Sequence, residues 1–183
     1  GSIVNTASNL VFSGGNLLLN DNINATGRTV SNTGATLFLN NRVNVAGAFS
    51  QTAGSLVIDP MTGGLIVSGA ADVTGGTVTS TFLSTGNYTA GTYTLVSGSS
   101  LNLTGATTSF NNLTGLAKST STVGNQLLLT VQNDYVGGTL ASLSNAGTIT
   151  GVATGLYVAT TGNLGTMTNT GKLDGAQFAV NNR

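Results

Sequence analysis

The chain has no cysteine, no histidine and no tryptophan, and a single proline, Pro60. Its acidic residues are all aspartate, namely Asp21, Asp59, Asp72, Asp134 and Asp174, so glutamate is missing as well. Each absence removes a class of chemistry. Without His, a serine nucleophile lacks the base of the usual triad. Without His and Cys, a zinc site loses its ordinary ligands. Without Cys no disulfide framework can form, which suits a chain that must cross a membrane unfolded. Charged residues make up 5% of the chain and the net charge is zero, against about 25% charged in ordinary soluble domains. Electrostatic capture of nucleic acid or of an anionic membrane is therefore not expected. One proline leaves strands uninterrupted. No apolar run reaches membrane-spanning length and no signal-peptide pattern is present. The opening Gly1-Ser2 reads as an expression scar, and the chain as a fragment of a longer protein.

What is present is repetition. The segments Gly15–Thr33, Gly34–Ala53 and Gly54–Gly75 can be superposed. Leu17, Leu37 and Leu56 then form one column, and Leu19, Leu39 and Ile58 a second. Asn20, Asn40 and Asp59 form a third. Ala25, Val45 and Val67 follow, then Gly27, Gly47 and Gly69. A fixed period of about 20 residues marks a solenoid, whose single turn cannot bury its own apolar face. Apolar and polar residues alternate, as in Leu127, Leu129 and Val131, which argues strands with one face inward. No stretch has sustained helical periodicity. The repeat returns near the end with a longer step, where Leu143 aligns with Met167, Asn145 with Asn169, and Ile149 with Leu173.

A turn of this length is too long for a hexapeptide left-handed helix and lacks the leucine-rich-repeat pattern. The expectation is all-β: a right-handed parallel β-helix of three sheets, with about eight turns and a protruding loop or hairpin near 84–92. Residues 3–133 are read as β-helix and 134–183 as further turns of the same rod. The stretch Gly105–Gly124 fits the period poorly. Asn20, Asn40, Asp59, Asn145 and Asn169 are expected to form structural ladders at the turns, because Asn tolerates left-handed backbone and its amides can bond from turn to turn.

The stretch from Gly47 to Val131 resembles the C-terminal part of an autotransporter passenger of type V secretion. The resemblance rests on Gln51-Thr52-Ala53-Gly54-Ser55-Leu56, Val67-Ser68-Gly69-Ala70-Ala71, Tyr93-Thr94-Leu95 and the closing strand Asn125–Val131, in that order. It implies a β-helix displayed outside a Gram-negative cell, including a segment that assists folding. It also implies a parent chain attached to an outer-membrane β-barrel. No barrel strands follow here, so a two-partner-secreted adhesin of related architecture is the nearest alternative.

The function expected from these readings is a non-enzymatic surface adhesin. Its partner would be a host surface glycan or protein, or a copy of itself on another cell, as in biofilm or virulence. A structural stalk is the first alternative, and a polysaccharide-active β-helix the second. The latter would need two aspartates within about 10 Å of each other. No catalytic residue, metal site or cofactor is expected. Tyr88, in the expected insertion, and Tyr157 are the candidate binding residues, because aromatics are over-used at contact sites. Four Asn-x-Thr sequons, beginning at Asn24, Asn87, Asn102 and Asn112, are what so Asn- and Thr-rich a chain yields by chance.

Overall fold

The structure, a computed structural model, describes residues 1–4, 7–81, 91–111, 116–136, 138–145, 148–150, 154–175 and 177–182. Among these there is no helix, 74% of the chain is strand, and parallel coils stack into a β-solenoid of about six turns. Two compact units are distinguished. One comprises Gly1–Thr81, Tyr93–Asn111 and Thr120–Leu129; the other comprises Phe82–Thr92, Asn112–Ser119 and Thr130–Arg183.

In the first unit each coil lays down three strands, one on each of three faces. Ser2–Val4, Leu10–Phe12 and Asn16–Leu18 form one coil, and all three lie parallel to successive parts of the long strand Asn22–Leu39. That strand runs through two corners and pairs along its length with Arg42–Ile58. Gly64–Val67, Ala70–Val73 and Thr77–Thr81 pair with Arg42–Ile58 in turn. Gly91–Ser97, Ser100–Asn102 and Thr107–Asn111 continue the three faces. The turns number about six rather than eight because the step lengthens. It is 19 residues from Asn32 to Gln51 but 30 from Thr79 to Ser109.

Period-two alternation explains the core. Leu37 opposes Leu56, and Leu39 opposes Ile58, and all four are fully buried. Each is covered by the coils on both sides, and burying a Leu or Ile is worth about 1.5–3 kcal/mol. Leu17, in the same column, stays 39% exposed because the strand Asn16–Leu18 is paired on one side only.

One aligned column shifts. Ile23, not Ala25, opposes Val45, and Val45 opposes Val67. The register breaks between Asn24 and Thr29, so Ala25, Thr26, Gly27 and Arg28 face a single residue of the next coil, Gly47. Ala25 is buried at the start of this bulge rather than in the strand column.

Glycine is required where the corners are tightest. At Gly54, with φ 79°, an added Cβ would lie 2.3 Å from the Ala35 carbonyl oxygen. At Gly47, with φ 143°, it would lie 2.4 Å from that of Ala25. Neither backbone nor space admits a side chain there.

Leu116–Val123 and Gln126–Val136 pair across the turn at Gly124, whose φ is 55°. A connection this short joins antiparallel strands only. This local pairing lies where the solenoid period lapses in the sequence. Its second strand buries Leu127, Leu129 and Val131 on one side.

The second unit repeats the coil with a step of 24 residues. Thr139–Asn145 lies parallel to Asn163–Asn169, Thr148–Thr150 to Lys172–Asp174, and Thr154–Val158 to Phe178–Asn182. Leu140, Leu143, Ile149 and Leu156 are its buried apolar residues. The loop expected near 84–92 lies outside the described residues except for Gly91 and Thr92, which begin the strand Gly91–Ser97.

Candidate functional site

The amides expected at the turns behave in different ways. Asn20 Oδ1 accepts from the backbone N–H of Asn40 at 3.2 Å, a bond from coil to coil. Asp59 turns inward on its own corner, where its Oδ1 accepts from Met61 N–H at 3.1 Å and its carbonyl accepts from Gly63 N–H at 2.6 Å. In the second unit Asn145 Nδ2 donates to Asn169 Oδ1 at 2.7 Å and to the Lys172 carbonyl at 3.2 Å.

A further amide pair lies inside the first unit. Asn32 and Gln51 are both fully buried. Asn32 Nδ2 donates to Gln51 Oε1 and to the Ala35 carbonyl, each at 3.0 Å. Its Oδ1 accepts from Gly34 N–H at 3.3 Å and Ala35 N–H at 2.9 Å. Gln51 Nε2 continues the chain to the carbonyls of Gly75 and Thr77, at 3.1 and 3.2 Å. These bonds satisfy groups that would be costly if buried without partners. The sequence signal was present: Ser31-Asn32-Thr33-Gly34 has the form of Ser144-Asn145-Ala146-Gly147. Gln51 stands one coil on, in the position that Asn169 has relative to Asn145.

Outward rows of polar groups also cross the coils. Asn44 donates through its backbone N–H and its Nδ2 to Asn22 Oδ1, at 2.8 and 3.0 Å. Ser55 and Thr77 hydroxyls meet at 2.7 Å; those of Thr79 and Ser109 meet at 2.8 Å, but there Thr79 is buried. Beside the Ser55 row runs an apolar one: Leu18, Phe38 and Val57 oppose one another, with Leu18 57% exposed.

Of the candidate aromatics, Tyr88 lies outside the described residues. Tyr157 is half-buried on the strand Thr154–Val158, in register with Tyr135 and Asn181. Tyr93, noted in the sequence only as part of a strand motif, was not among the candidate binding residues. Its hydroxyl donates to Met61 Sδ at 3.3 Å. Burial, and then the negative charge of Asp59, raise its pKa above the ordinary value near 10. Among the described residues no three His, Cys, Asp or Glu converge to hold a metal ion.

A concavity of the first unit lies at the bulged corner. An open groove of about 400 Å³ is lined by Thr26, Gly27, Arg28, Thr29, Gly47, Ala48, Ser68 and Gly69. Its wall is the bulge and its floor is backbone. Asn24 Oδ1 accepts from both the N–H and the hydroxyl of Thr26, at 3.3 and 2.8 Å, fixing the start of the bulge. Thr29 N–H donates to Asn9 Oδ1 at 3.1 Å, fixing its end. Ser68 Oγ accepts from Gly47 N–H at 3.0 Å, and Gly69 N–H donates to the Gly47 carbonyl at 2.8 Å, fixing the floor. Arg28 is the one charged residue in the lining. The lining brings the hydroxyl residues Thr26, Thr29 and Ser68 beside Arg28 and contains no nucleophile–base pair.

The fold places the chain in the class of parallel β-solenoids. No family model, curated protein or solved structure matches it.

Proposed function

We propose that this chain is a non-enzymatic, surface-displayed adhesin segment of the autotransporter-passenger kind. Its partner is a host surface glycan or protein, or a copy of itself on a neighbouring cell. The observation that carries this reading is the set of outward rows on the first unit, where Asn22–Asn44 and Ser55–Thr77 repeat hydroxyl and amide groups from coil to coil. Each such group offers one weak hydrogen bond, and repetition along a rigid wall turns many weak bonds into avidity. The apolar row Leu18–Phe38–Val57 adds contact area between the polar ones. The test is display of the chain on a non-adherent cell. Aggregation or adherence should appear with the chain and vanish without it; no difference in either assay rejects the reading.

A second reading, a stalk or folding-assisting segment, is favoured by the hairpin of Leu116–Val123 with Gln126–Val136. It is a locally closed unit that overlaps the end of the stretch resembling the C-terminal part of passengers, and local pairs form faster than distant ones. Deleting 116–136 should then leave the remaining coils protease-sensitive. Unchanged resistance would remove that role.

A further inference from the structure

The geometry points to a self-cleavage site at the Asp59-Pro60 bond, where the Asp59 carboxylate attacks its own main-chain carbonyl in mild acid. The cut leaves two pieces, residues 1–59 and 60–183, held in one solenoid. This goes beyond the adhesin reading and does not depend on it.

Pro60 is the single proline, so the chain holds one Asp-Pro bond. The corner does not require that pair, because the same column holds Asn40-Asn41 one coil back and Asn20-Asp21 two coils back. An Asp-Pro bond is weak in acid for two chemical reasons. The carboxylate stands one ring closure from the carbonyl carbon, and the proline nitrogen leaves as a basic secondary amine.

The fold adds to this intrinsic weakness. Asp59 Oδ1 accepts from Met61 N–H at 3.1 Å, and an oxygen bonded to the amide two residues ahead lies alongside the bond between Asp59 and Pro60. The carbonyl oxygen of that bond accepts from two backbone N–H groups, that of Gly63 at 2.6 Å and that of Thr62 at 3.3 Å. Two preset donors on one carbonyl oxygen form an oxyanion hole, which stabilises the charge that the oxygen gains when its carbon is attacked. Gly63 comes this close because it has no side chain; an added Cβ would lie 2.8 Å from the Asp59 oxygen and 2.2 Å from that of Leu39. The corner is pinned to the previous coil as well. Asp59 N–H donates to the Leu39 carbonyl at 3.1 Å, and the Thr62 hydroxyl to the Asn40 carbonyl at 2.6 Å. Asp59 and Pro60 are buried while Met61 and Thr62 are exposed, which leaves water a way in from that side. The titratable neighbour is Tyr93, which is neutral throughout the acid range and keeps its charge state during the reaction.

The step balances without a cofactor. A carboxylate oxygen of Asp59 bonds to the Asp59 carbonyl carbon and closes a five-membered ring. The C–N bond to Pro60 breaks, and the nitrogen leaves with a proton taken from solvent acid. Water then opens the cyclic anhydride, which restores the side-chain carboxyl and leaves a new α-carboxyl on Asp59. Both new ends stay in the ladder. Arg42–Ile58 remains paired with Asn22–Leu39 before the cut, and Gly64–Val67 with Arg42–Ile58 after it.

The experiment is incubation of the whole chain in acid, at the lowest pH where circular dichroism shows the fold intact, with intact-mass spectrometry of the products. The same chain unfolded in urea at that pH runs in parallel. Fragments 1–59 and 60–183 should accumulate about tenfold or more faster from the folded chain, because only there are the carboxylate and the two N–H donors held in place. D59N should abolish the cut and keep the corner, since Asn fills the same column at Asn20 and Asn40 and its Oδ1 accepts as the carboxylate does. P60A should slow the cut by about tenfold, since its nitrogen is a poorer proton acceptor on leaving. Equal or slower cutting of the folded chain, no cut at this bond, or an unaffected D59N overturns the inference. In gel filtration the cut chain should elute with the uncut one and come apart in urea; pieces that separate without denaturant overturn the retention of both in one solenoid.

Discussion

Both units use an asparagine at the corner of a coil, with different surroundings. In the first, Asn32 and its partner Gln51 are both fully buried, and the chain of bonds runs on to the carbonyls of Gly75 and Thr77. In the second, Asn145 is 2% exposed but its partner Asn169 is exposed, and its side-chain amide donates to the Gly171 carbonyl of its own coil. The difference is position in the stack. A strand paired on both sides is shut off from water, so every polar atom in it must find a protein partner. A strand paired on one side leaves water to do part of the job. The same side chain is therefore a structural requirement in one place and a modest contributor in the other.

That comparison can be tested by substitution, read as unfolding free energy in urea. The largest effect is expected in the apolar column. Leu56→Ala should cost about 3 kcal/mol, while Leu17→Ala, in the same column but at a one-sided strand, should cost under about 1 kcal/mol. Equal losses would mean that coverage by neighbouring coils is not what stabilises the column. Next comes the amide contrast. Asn32→Ala strands two backbone N–H groups, a carbonyl and Gln51, and should cost about 3 kcal/mol, against about 1 kcal/mol or less for Asn169→Ala. A larger effect at Asn169 would invert the argument.

A smaller change of opposite sign is expected at Ser80. Its hydroxyl is buried without a partner among the described residues. Ser80→Ala should stabilise by about 1 kcal/mol, since it removes an unmet polar group; a loss of stability would reveal a hidden bond.

The smallest effect is a pH dependence. The folded pKa of Tyr93 lies above its ordinary value near 10, so the fold binds this proton more tightly than the unfolded chain does. The corresponding stability is complete below pH 10 and declines as the pH rises from there through the folded pKa. Tyr93→Phe should flatten this decline, seen in melting temperatures taken from pH 9 upward. A wild-type slope that survives the substitution belongs to another group.

The parts of the fold that were legible in sequence are those with one residue per position and no insertion. Leu37 and Leu56, or Leu143 and Met167, follow strict alternation and fall in register. The alignment slipped at Ala25 because equal spacing was assumed through a corner that holds four residues on one coil and one on the next. The turn count was too high because the step grows to 30 residues past Thr79, more than that count allowed for the insertion expected near 84–92. The groove was hidden for the same reason as the slip. It exists only because neighbouring corners differ in length, and its residues, Thr26, Arg28 and Ser68, are unremarkable until the register is known. Gln51 was visible as part of a strand motif, but an amide in an inward position looks like an ordinary polar residue until its burial is seen.

The pairing has one more consequence, for the order in which the chain can assemble. Partners in the first unit, such as Leu37 with Leu56, Val78 with Thr108, or Leu65 with Val96, stand within about 30 residues of each other, and doubling a loop adds only about 0.6 kcal/mol to its closure. A new coil therefore closes a loop of similar, short length whether it is the second or the fifth to form. Growth can advance like a zipper from any coil already in place, using only the residues next to emerge and no contact from the far end of the chain.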